Sequence, residues 1–170
     1  MSKESKFKMG EDLKSIDKEN FNGDYEATII EQWKTCVETA NGITEKRNNA
    51  NSIFITINTA LFAVITFSLD YKSVLLSAIG IFVCILWLKL LENYKTLNKT
   101  KYYIINEIEE MLPLSPFKAE WYRLKDEEKY TGLTKVEKII PIVFIVLYSL
   151  ALLWPLLKLA LKFICPCVSN

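Results

Sequence analysis

The stretch RNNANSIFITINTALFAVITFSL, residues 47–69, joins a charged helix to an apolar one with no helix-breaking residue between them. Residues 50–69 carry no charge at all. At 1.5 Å rise per residue, a helix of this length covers about 30 Å, roughly the thickness of the hydrocarbon core of a bilayer. The stretch therefore predicts a transmembrane helix at 50–69 that runs on from a helix at 24–49 outside the membrane.

The polar side chains of this first span fall on one helical face. At 100° per residue they form a stripe about 120° wide. Its members are Asn51, Ser52, Asn58, Thr59 and Thr66. Because an unpaired amide in hydrocarbon is costly, Asn58 must face another helix, a neighbouring subunit or water. Three interpretations stay open: hydrogen bonding between helices, a helix that lines a water-filled path, and placement at the membrane interface.

A second apolar run, residues 73–91, follows the first after a polar break of only three residues, Asp70, Tyr71 and Lys72. So short a turn predicts an antiparallel helical hairpin. The second span continues as a helix over 92–112, where the prolines that follow disfavour helical geometry. Two long helices are thus expected to leave the membrane together.

A third span completes the architecture. Residues 113–134 are expected to form a connection with at most a short helix at 117–124. Thr134 followed by Glu137 predicts a capping box that opens the next helix, and the third span is placed at residues 137–157, with its apolar part from Ile139 onward. The fold class is therefore an all-α integral membrane protein with three transmembrane helices, the first two of which extend beyond the membrane.

Lysine and arginine are distributed unevenly around the spans: eight lie in residues 1–50, one in the turn, ten in 89–138 and two beyond the third span. Because basic residues favour the cytoplasmic side, the N-terminus and the central connection are predicted to be cytoplasmic and the C-terminus extracytoplasmic. Residues 1–23 then form a flexible charged tail in the cytoplasm, and residues 158–170 form an extracytoplasmic tail.

Residues spaced three and four apart predict a seam between the two long helices outside the membrane. On the first helix the seam includes Trp33, Ala40 and Arg47. On the second it runs through Leu90, Tyr94, Leu97, Lys101, Ile104, Ile108 and Met111. Asn98 and Glu107 lie beside this second series. Charged and polar residues along the seam suit contacts between the subunits of a homo-oligomeric ring as well as contacts within the hairpin.

Composition narrows the range of functions. The chain has 170 residues, of which 51% are hydrophobic, and its net charge of +1 does not favour nucleic acid as a partner. It contains no histidine, and its four cysteines form no CxxC pair, so the commonest general base and zinc ligands are missing. No spacing joins a nucleophile to a base. An enzyme, a metal site and a cofactor are therefore not expected.

The sequence resembles the RipA family of bacterial octameric membrane proteins in three runs, EQWKTCVETANGITEKRNNANSIFITINTALF, LENYKTLNKTKYYIINEIEEMLPLSPFKAEW and LTKVEKIIP. The similarity extends from Tyr25 to about Leu153. Its distinctive steps include Asn58-Thr59-Ala60-Leu61, Leu112-Pro113, Glu120-Trp121 and Val136-Glu137. The resemblance implies a homo-octamer in the bacterial cytoplasmic membrane, with a helical assembly on the cytoplasmic side.

Two hypotheses about function follow. In the first, the oligomer is a channel or a stress-responsive pore, with the polar stripe of the first span facing its axis. In the second, it is a non-conducting, membrane-anchored scaffold whose cytoplasmic helical ring recruits partners. The partners expected from sequence are further copies of the chain and membrane lipid. Ion flux through reconstituted protein separates the two hypotheses.

Overall fold

The computed structural model describes Leu13 and residues 15–67, 71–126 and 132–164. In these ranges the chain is helical and contains no strand. Its elements are a 3-10 turn at Lys18–Asn20 and the helices α1 (Tyr25–Phe67), α2 (Tyr71–Glu109), α3 (Pro116–Asp126), α4 (Leu133–Glu137) and α5 (Ile139–Ile164). Three helical segments are long and apolar enough to cross a membrane: Tyr25–Phe67, Ser73–Glu109 and Leu133–Pro155. The all-α class and the three apolar helices are confirmed.

Several predicted features fall outside the described residues. The first part of the N-terminal tail (1–12), the turn between the first two spans (68–70) and the last residues of the C-terminal tail (165–170) are among them. The hairpin turn and the sides of the membrane on which the two termini lie therefore stay predictions.

Helix α1 begins where the sequence signals a start. Gly23 adopts a positive φ of 144°, which suits glycine, and the next residue, Asp24, caps the helix. The Oδ1 atom of Asp24 accepts the backbone N–H of Ala27 at 3.0 Å, and so satisfies one of the free donors of the first turn. From Tyr25 the helix runs for 43 residues across the junction at Arg47.

Helix α2 ends at Glu109, slightly before the predicted end at residue 112. Backbone bonds from Met111 to Ile108 (3.0 Å) and from Leu112 to Glu109 (3.1 Å) tighten the chain into a turn after the last helical residue. Pro116 then occupies the first position of α3, where its missing N–H is not needed. The short helix expected within the connection is present and is slightly longer than predicted.

The predicted capping box at Thr134 is wrong. Helix α4 begins after Gly132, which has no side chain to cap it, and the side chains of Thr134 and Glu137 both bind Arg47. The helix is interrupted at Lys138 before α5 begins. Pro141 explains the break, since it lacks the N–H that would bond to the carbonyl group of Glu137 in a continuous helix.

The described residues divide into two compact units. The apolar unit comprises residues 43–97 and 132–164, and the polar unit comprises the described residues up to Gly42 together with residues 98–126. In the apolar unit, Ile65, Cys84 and Tyr148 form a core that draws on α1, α2 and α5. Helix α2 contributes buried residues at alternating spacings of four and three: Ser73, Ser77, Gly80, Cys84, Trp87 and Leu91. This spacing is typical of helices that pack at a small crossing angle.

The polar unit is organised around an aromatic cluster. The ring of Phe117 on α3 lies 6.0 Å from that of Trp33 on α1 and 5.8 Å from that of Tyr102 on α2, measured between centroids. Ala40, Ile105 and Ile108 are buried nearby in the same unit. Aromatic contacts therefore hold α3 to the two long helices within this unit.

The predicted seam on α2 is reproduced in part: Ile108 is buried, but Leu97 is not. Leu97 was placed in it but is 50% exposed, whereas Ile105 is completely buried. The buried series runs Leu91, Asn98 and Ile105, with Asn98 half-buried. Apolar residues occur at both 104 and 105, so spacing alone did not distinguish the two registers.

Candidate functional site

The candidate site consists of two polar clusters inside the apolar unit. The Asn58 cluster contains Asn58, Cys84 and Tyr148. The Arg47 cluster contains Arg47, Asn51, Trp87, Thr134 and Glu137. Polar groups placed between apolar helices are costly unless they are hydrogen-bonded. The role of each cluster therefore depends on the hydrogen-bond partners of its side chains.

Asn58 is 0% exposed although it lies within an apolar stretch of α1. Its Nδ2 atom donates to the carbonyl oxygen of Phe54 at 2.8 Å, and its Oδ1 atom accepts the thiol hydrogen of Cys84 at 3.1 Å. The hydroxyl of Tyr148 lies 2.9 Å from the Asn58 carbonyl oxygen and 3.2 Å from its Oδ1 atom, and donates its single hydrogen there. Of the three interpretations that the sequence left open for Asn58, this structure shows hydrogen bonding between helices.

The Arg47 cluster lies where the apolar part of α1 begins. Arg47 is 5% exposed, and its Nη2 atom donates to the carboxylate of Glu137 and to the hydroxyl oxygen of Thr134, the latter at 3.0 Å. Asn51 donates to the other carboxylate oxygen of Glu137 at 3.2 Å and accepts the indole N–H of Trp87 at 2.8 Å. The cluster therefore connects α1, α2 and α4 through one neutralised pair of charges.

A second ion pair, made by the residue that follows Glu137, also reaches α2. Lys138 donates to the carboxylate of Glu92 on α2, and both side chains are partly exposed. Glu137 and Lys138 are adjacent and opposite in charge, and they reach α1 and α2 respectively. Solvent weakens the Glu92 pair, whereas the Arg47 pair is largely withdrawn from water, so removal of one of its partners is the more damaging change.

The contacts also set the direction of α2 relative to α1 inside the apolar unit. Asn51 bonds to Trp87, whereas Asn58, further along α1, bonds to Cys84, which precedes Trp87 on α2. Phe54 lies between them and stacks on the Trp87 ring at a centroid distance of 5.5 Å. The two helices therefore run antiparallel along this contact.

The predicted polar stripe divides into two groups. Asn51 and Asn58 face the interior of the unit, whereas Ser52, Thr59 and Thr66 are exposed on the outer surface of α1. The hydroxyl of Ser52 donates to the carbonyl oxygen of Asn48 at 3.1 Å, and that of Thr66 donates to Ala63 at 2.7 Å. The amides thus hold helices together, and the hydroxyls lie on a separate face.

The predicted seam residues occupy varied environments. Ala40 and Arg47 are buried, and the remaining five are half-buried: Trp33, Tyr94, Asn98, Lys101 and Glu107. Arg47 belongs to the ion pair with Glu137, and Trp33 belongs to the aromatic cluster of the polar unit. Whether any of them contacts another subunit stays a prediction.

A buried carboxylate in the polar unit was not among the predicted site residues. Glu109 is 0% exposed, and its two carboxylate oxygens accept the backbone N–H groups of Phe117 and Lys118, each at 3.2 Å. These donors belong to the first turn of α3, where a negative charge also interacts favourably with the helix dipole. The half-buried Lys118 bonds through its side chain to Glu110 at 2.7 Å, and this hydrogen bond raises the pKa of Lys118.

Sequence reasoning also missed Cys84, Trp87 and Tyr148. Tyr148 offered a usable signal, since a hydroxyl within an apolar run needs an acceptor, and Asn58 was an acceptor already placed in an apolar span. No sequence signal distinguished Trp87 and Cys84 from ordinary apolar residues. Among the described residues, no group of three or more potential metal ligands lies together.

Three long apolar helices with polar groups paired between them, and large apolar side chains on their outer surfaces, define an all-α integral membrane protein. A family model described as the octameric membrane protein family (8xMP) matches residues 30–157. The chain belongs to this family. No curated protein and no solved structure matches it. The octameric membrane class expected from sequence is thereby confirmed, whereas the narrower RipA name stays a resemblance.

Proposed function

We propose that the chain is a self-assembling, membrane-anchored scaffold of the bacterial cytoplasmic membrane. The observation that carries this proposal is the burial of Asn58, an amide in the middle of the first span, which is completely enclosed and bonded to α2 and α5. An amide used in this way stabilises the packing of the helices and is withdrawn from any water-filled path. The membrane part then serves as an anchor and an assembly element.

The surface of the polar unit supports the proposal that the scaffold binds other proteins. Leu114 is 79% exposed, and Trp121 and Tyr122 on α3 are 53% and 58% exposed. Large apolar side chains outside the membrane spans are typical of surfaces that bind other proteins, and Trp and Tyr are enriched in such interfaces. We propose that this surface, on the cytoplasmic side according to the distribution of basic residues, recruits protein partners.

A channel is the second candidate, because three hydroxyl residues of the predicted stripe, Ser52, Thr59 and Thr66, are exposed on α1. Hydroxyl groups that face a common axis can line a path for water. The absence of charge on this face would give such a path little ion selectivity. No reaction is proposed, since the sequence lacks histidine and any nucleophile paired with a base.

Reconstitution of the full-length protein tests both candidates. The mass of the purified protein should exceed that of one chain several-fold, and liposomes that contain it should retain ions and a small dye as well as empty liposomes do. Gramicidin serves as the positive control for flux. Flux that depends on the protein would overturn the scaffold and establish the channel.

The recruiting surface is tested with Trp121→Ala combined with Tyr122→Ala. Exposed side chains contribute little to folding, so the variant should assemble like the wild type. Proteins cross-linked to the wild type in intact cells should be lost from the variant, whereas a control change at exposed Glu120, to Gln, should retain them. Identical partner sets in all three would contradict the proposed surface.

A further inference from the structure

One outer face of α1 in the apolar unit is built from small side chains. At alternating spacings of four and three, every residue of this face is exposed: Ser52, Thr56, Thr59, Ala63 and Thr66. Larger side chains, Ile53, Ile57 and Val64, stand exposed beside it. The face is therefore a shallow groove with an apolar ridge along one side, the shape into which the ridge of another helix packs.

Three of the four hydroxyl groups in this groove are already satisfied by α1 itself. Those of Ser52, Thr56 and Thr66 donate to carbonyl oxygens of their own helix, at 3.1, 2.9 and 2.7 Å respectively. They need neither water nor a polar partner. An apolar helix can therefore cover the groove without leaving these donors unpaired.

Helix α5 carries the complementary surface. Six of its exposed residues recur at the same alternation of four and three, and all six are large and aliphatic: Ile139, Val143, Val146, Leu150, Leu153 and Leu157. No small or charged residue interrupts this ridge. The seven-residue period on both helices is that of a left-handed packing of helix on helix.

The two surfaces also match in depth. Arg47 bonds to Glu137 and Asn58 bonds to Tyr148, and both contacts join residues 90 positions apart, so α1 and the segment from α4 into α5 run parallel at that offset. The same offset places Thr56 level with Val146, and Ala63 level with Leu153. Two small residues of the groove thus lie at the height of two large residues of the ridge.

We propose that the groove on α1, formed by the five small residues, receives the α5 ridge of a second copy of the chain. Copies that share one orientation in a membrane can be related only by an axis along its normal, so a closed ring joins two different faces of each subunit at equal depth. A groove and a ridge matched in depth meet that requirement. This inference rests on the self-association in the proposed function, and the family's octameric description supplies the second copy.

Disulfide cross-linking between two differently tagged chains tests the contact. One chain carries Ala63→Cys and the other Leu153→Cys, both with Cys36, Cys84, Cys165 and Cys167 replaced by Ser. A membrane-permeant oxidant should give a covalent dimer that contains both tags and disappears on reduction. The matched control replaces Leu153→Cys by Ile79→Cys, which lies on the exposed face of α2 at a similar depth and should give no dimer.

A size change in the groove provides the second measurement. Ala63→Trp should weaken the assembly about tenfold, because overpacking a helix contact costs enough for such a shift. Leu153→Met, which keeps the volume of the ridge, should leave the assembly intact. A wild-type protein that is monomeric would remove both the proposed function and this contact. If the wild type is an oligomer, three results would overturn the contact alone. They are a cross-link through Ile79→Cys, no cross-link between Ala63→Cys and Leu153→Cys, and reaction of Thr59→Cys with a water-soluble thiol reagent.

Discussion

The ring of Tyr148 lies directly against the backbone of Gly80. A Cβ atom added at Gly80 would lie 2.5 Å from Cζ of Tyr148 and less than 2.8 Å from both Cε atoms. The missing side chain on α2 lets α5 approach closely enough for the Tyr148 hydroxyl to reach Asn58 on α1. Gly80 is therefore the residue that allows the three helices to share one hydrogen-bonded centre.

Gly80→Ala should destabilise the protein by about 1–3 kcal/mol, because the rigid ring of Tyr148 must move to admit the new methyl group. The measurement is thermal unfolding in detergent. Gly42→Ala is the matched control, since a Cβ atom there meets nothing within 4 Å. That change should be neutral or stabilising by about 0.5–1 kcal/mol. Equal effects at the two glycines would show that Tyr148 does not occupy the space above Gly80.

The ion pair between Arg47 and Glu137 predicts a charge-reversal result. Arg47→Glu places two carboxylates together in a largely buried site and should cost about 3–5 kcal/mol. Combining it with Glu137→Arg restores opposite charges and should recover a large part of the loss. Lys46→Glu, at the neighbouring exposed position, should change the unfolding temperature little. No recovery in the double variant would mean that the two side chains do not pair.

The contacts of the Glu109 carboxylate predict that α3 becomes accessible to protease when this carboxylate is removed. Glu109→Ala leaves two N–H groups at the start of α3 without their acceptors, at a cost of about 1–3 kcal/mol. Limited trypsin digestion should then cut faster after Arg123 and Lys125. Glu109→Gln keeps an acceptor oxygen and should show a smaller increase. Glu110→Gln, next in sequence but exposed, is the control, and an equally fast digestion of that variant would contradict the role assigned to Glu109.

The helices were predictable because their signals are local. An apolar run long enough to span a bilayer requires nothing from the rest of the chain, and Asp24 marks a helix start by its own chemistry. Asn58 could be recognised as a residue that needs a partner. The partner itself lies 90 positions away on α5, and no periodicity within one helix connects the two.

The wrong capping-box prediction at Thr134 shows that a contact with a charged residue distant in sequence can override a local motif. A capping box satisfies two backbone donors, but Glu137 at this position neutralises the buried guanidinium of Arg47, which would otherwise remain unpaired at a larger cost. The division of the polar stripe has a similar cause. Residues 51 and 52 are adjacent on α1, yet one faces α2 and the other faces outward, and the angular width of a stripe does not specify which part meets a neighbour.

Asn58 and Thr59 are adjacent, and the structure predicts opposite effects for them. Asn58→Leu removes the side-chain acceptor of Cys84 and leaves Tyr148 only the backbone carbonyl oxygen of residue 58, so it should lower the stability of each protomer by about 1–2 kcal/mol, since hydrogen bonds between membrane helices are individually modest. Thr59→Leu places a larger side chain in the exposed groove on α1 and should leave the unfolding temperature of the dissociated protomer unchanged while the oligomer dissociates more readily. Unfolding temperature and oligomer mass are therefore measured separately for each variant. Tyr148→Phe tests the same hydrogen bond from the other side and should resemble Asn58→Leu in direction. If Asn58→Leu changed only the oligomer mass and Thr59→Leu changed only protomer stability, the assignment of the inner and outer faces of α1 would be reversed.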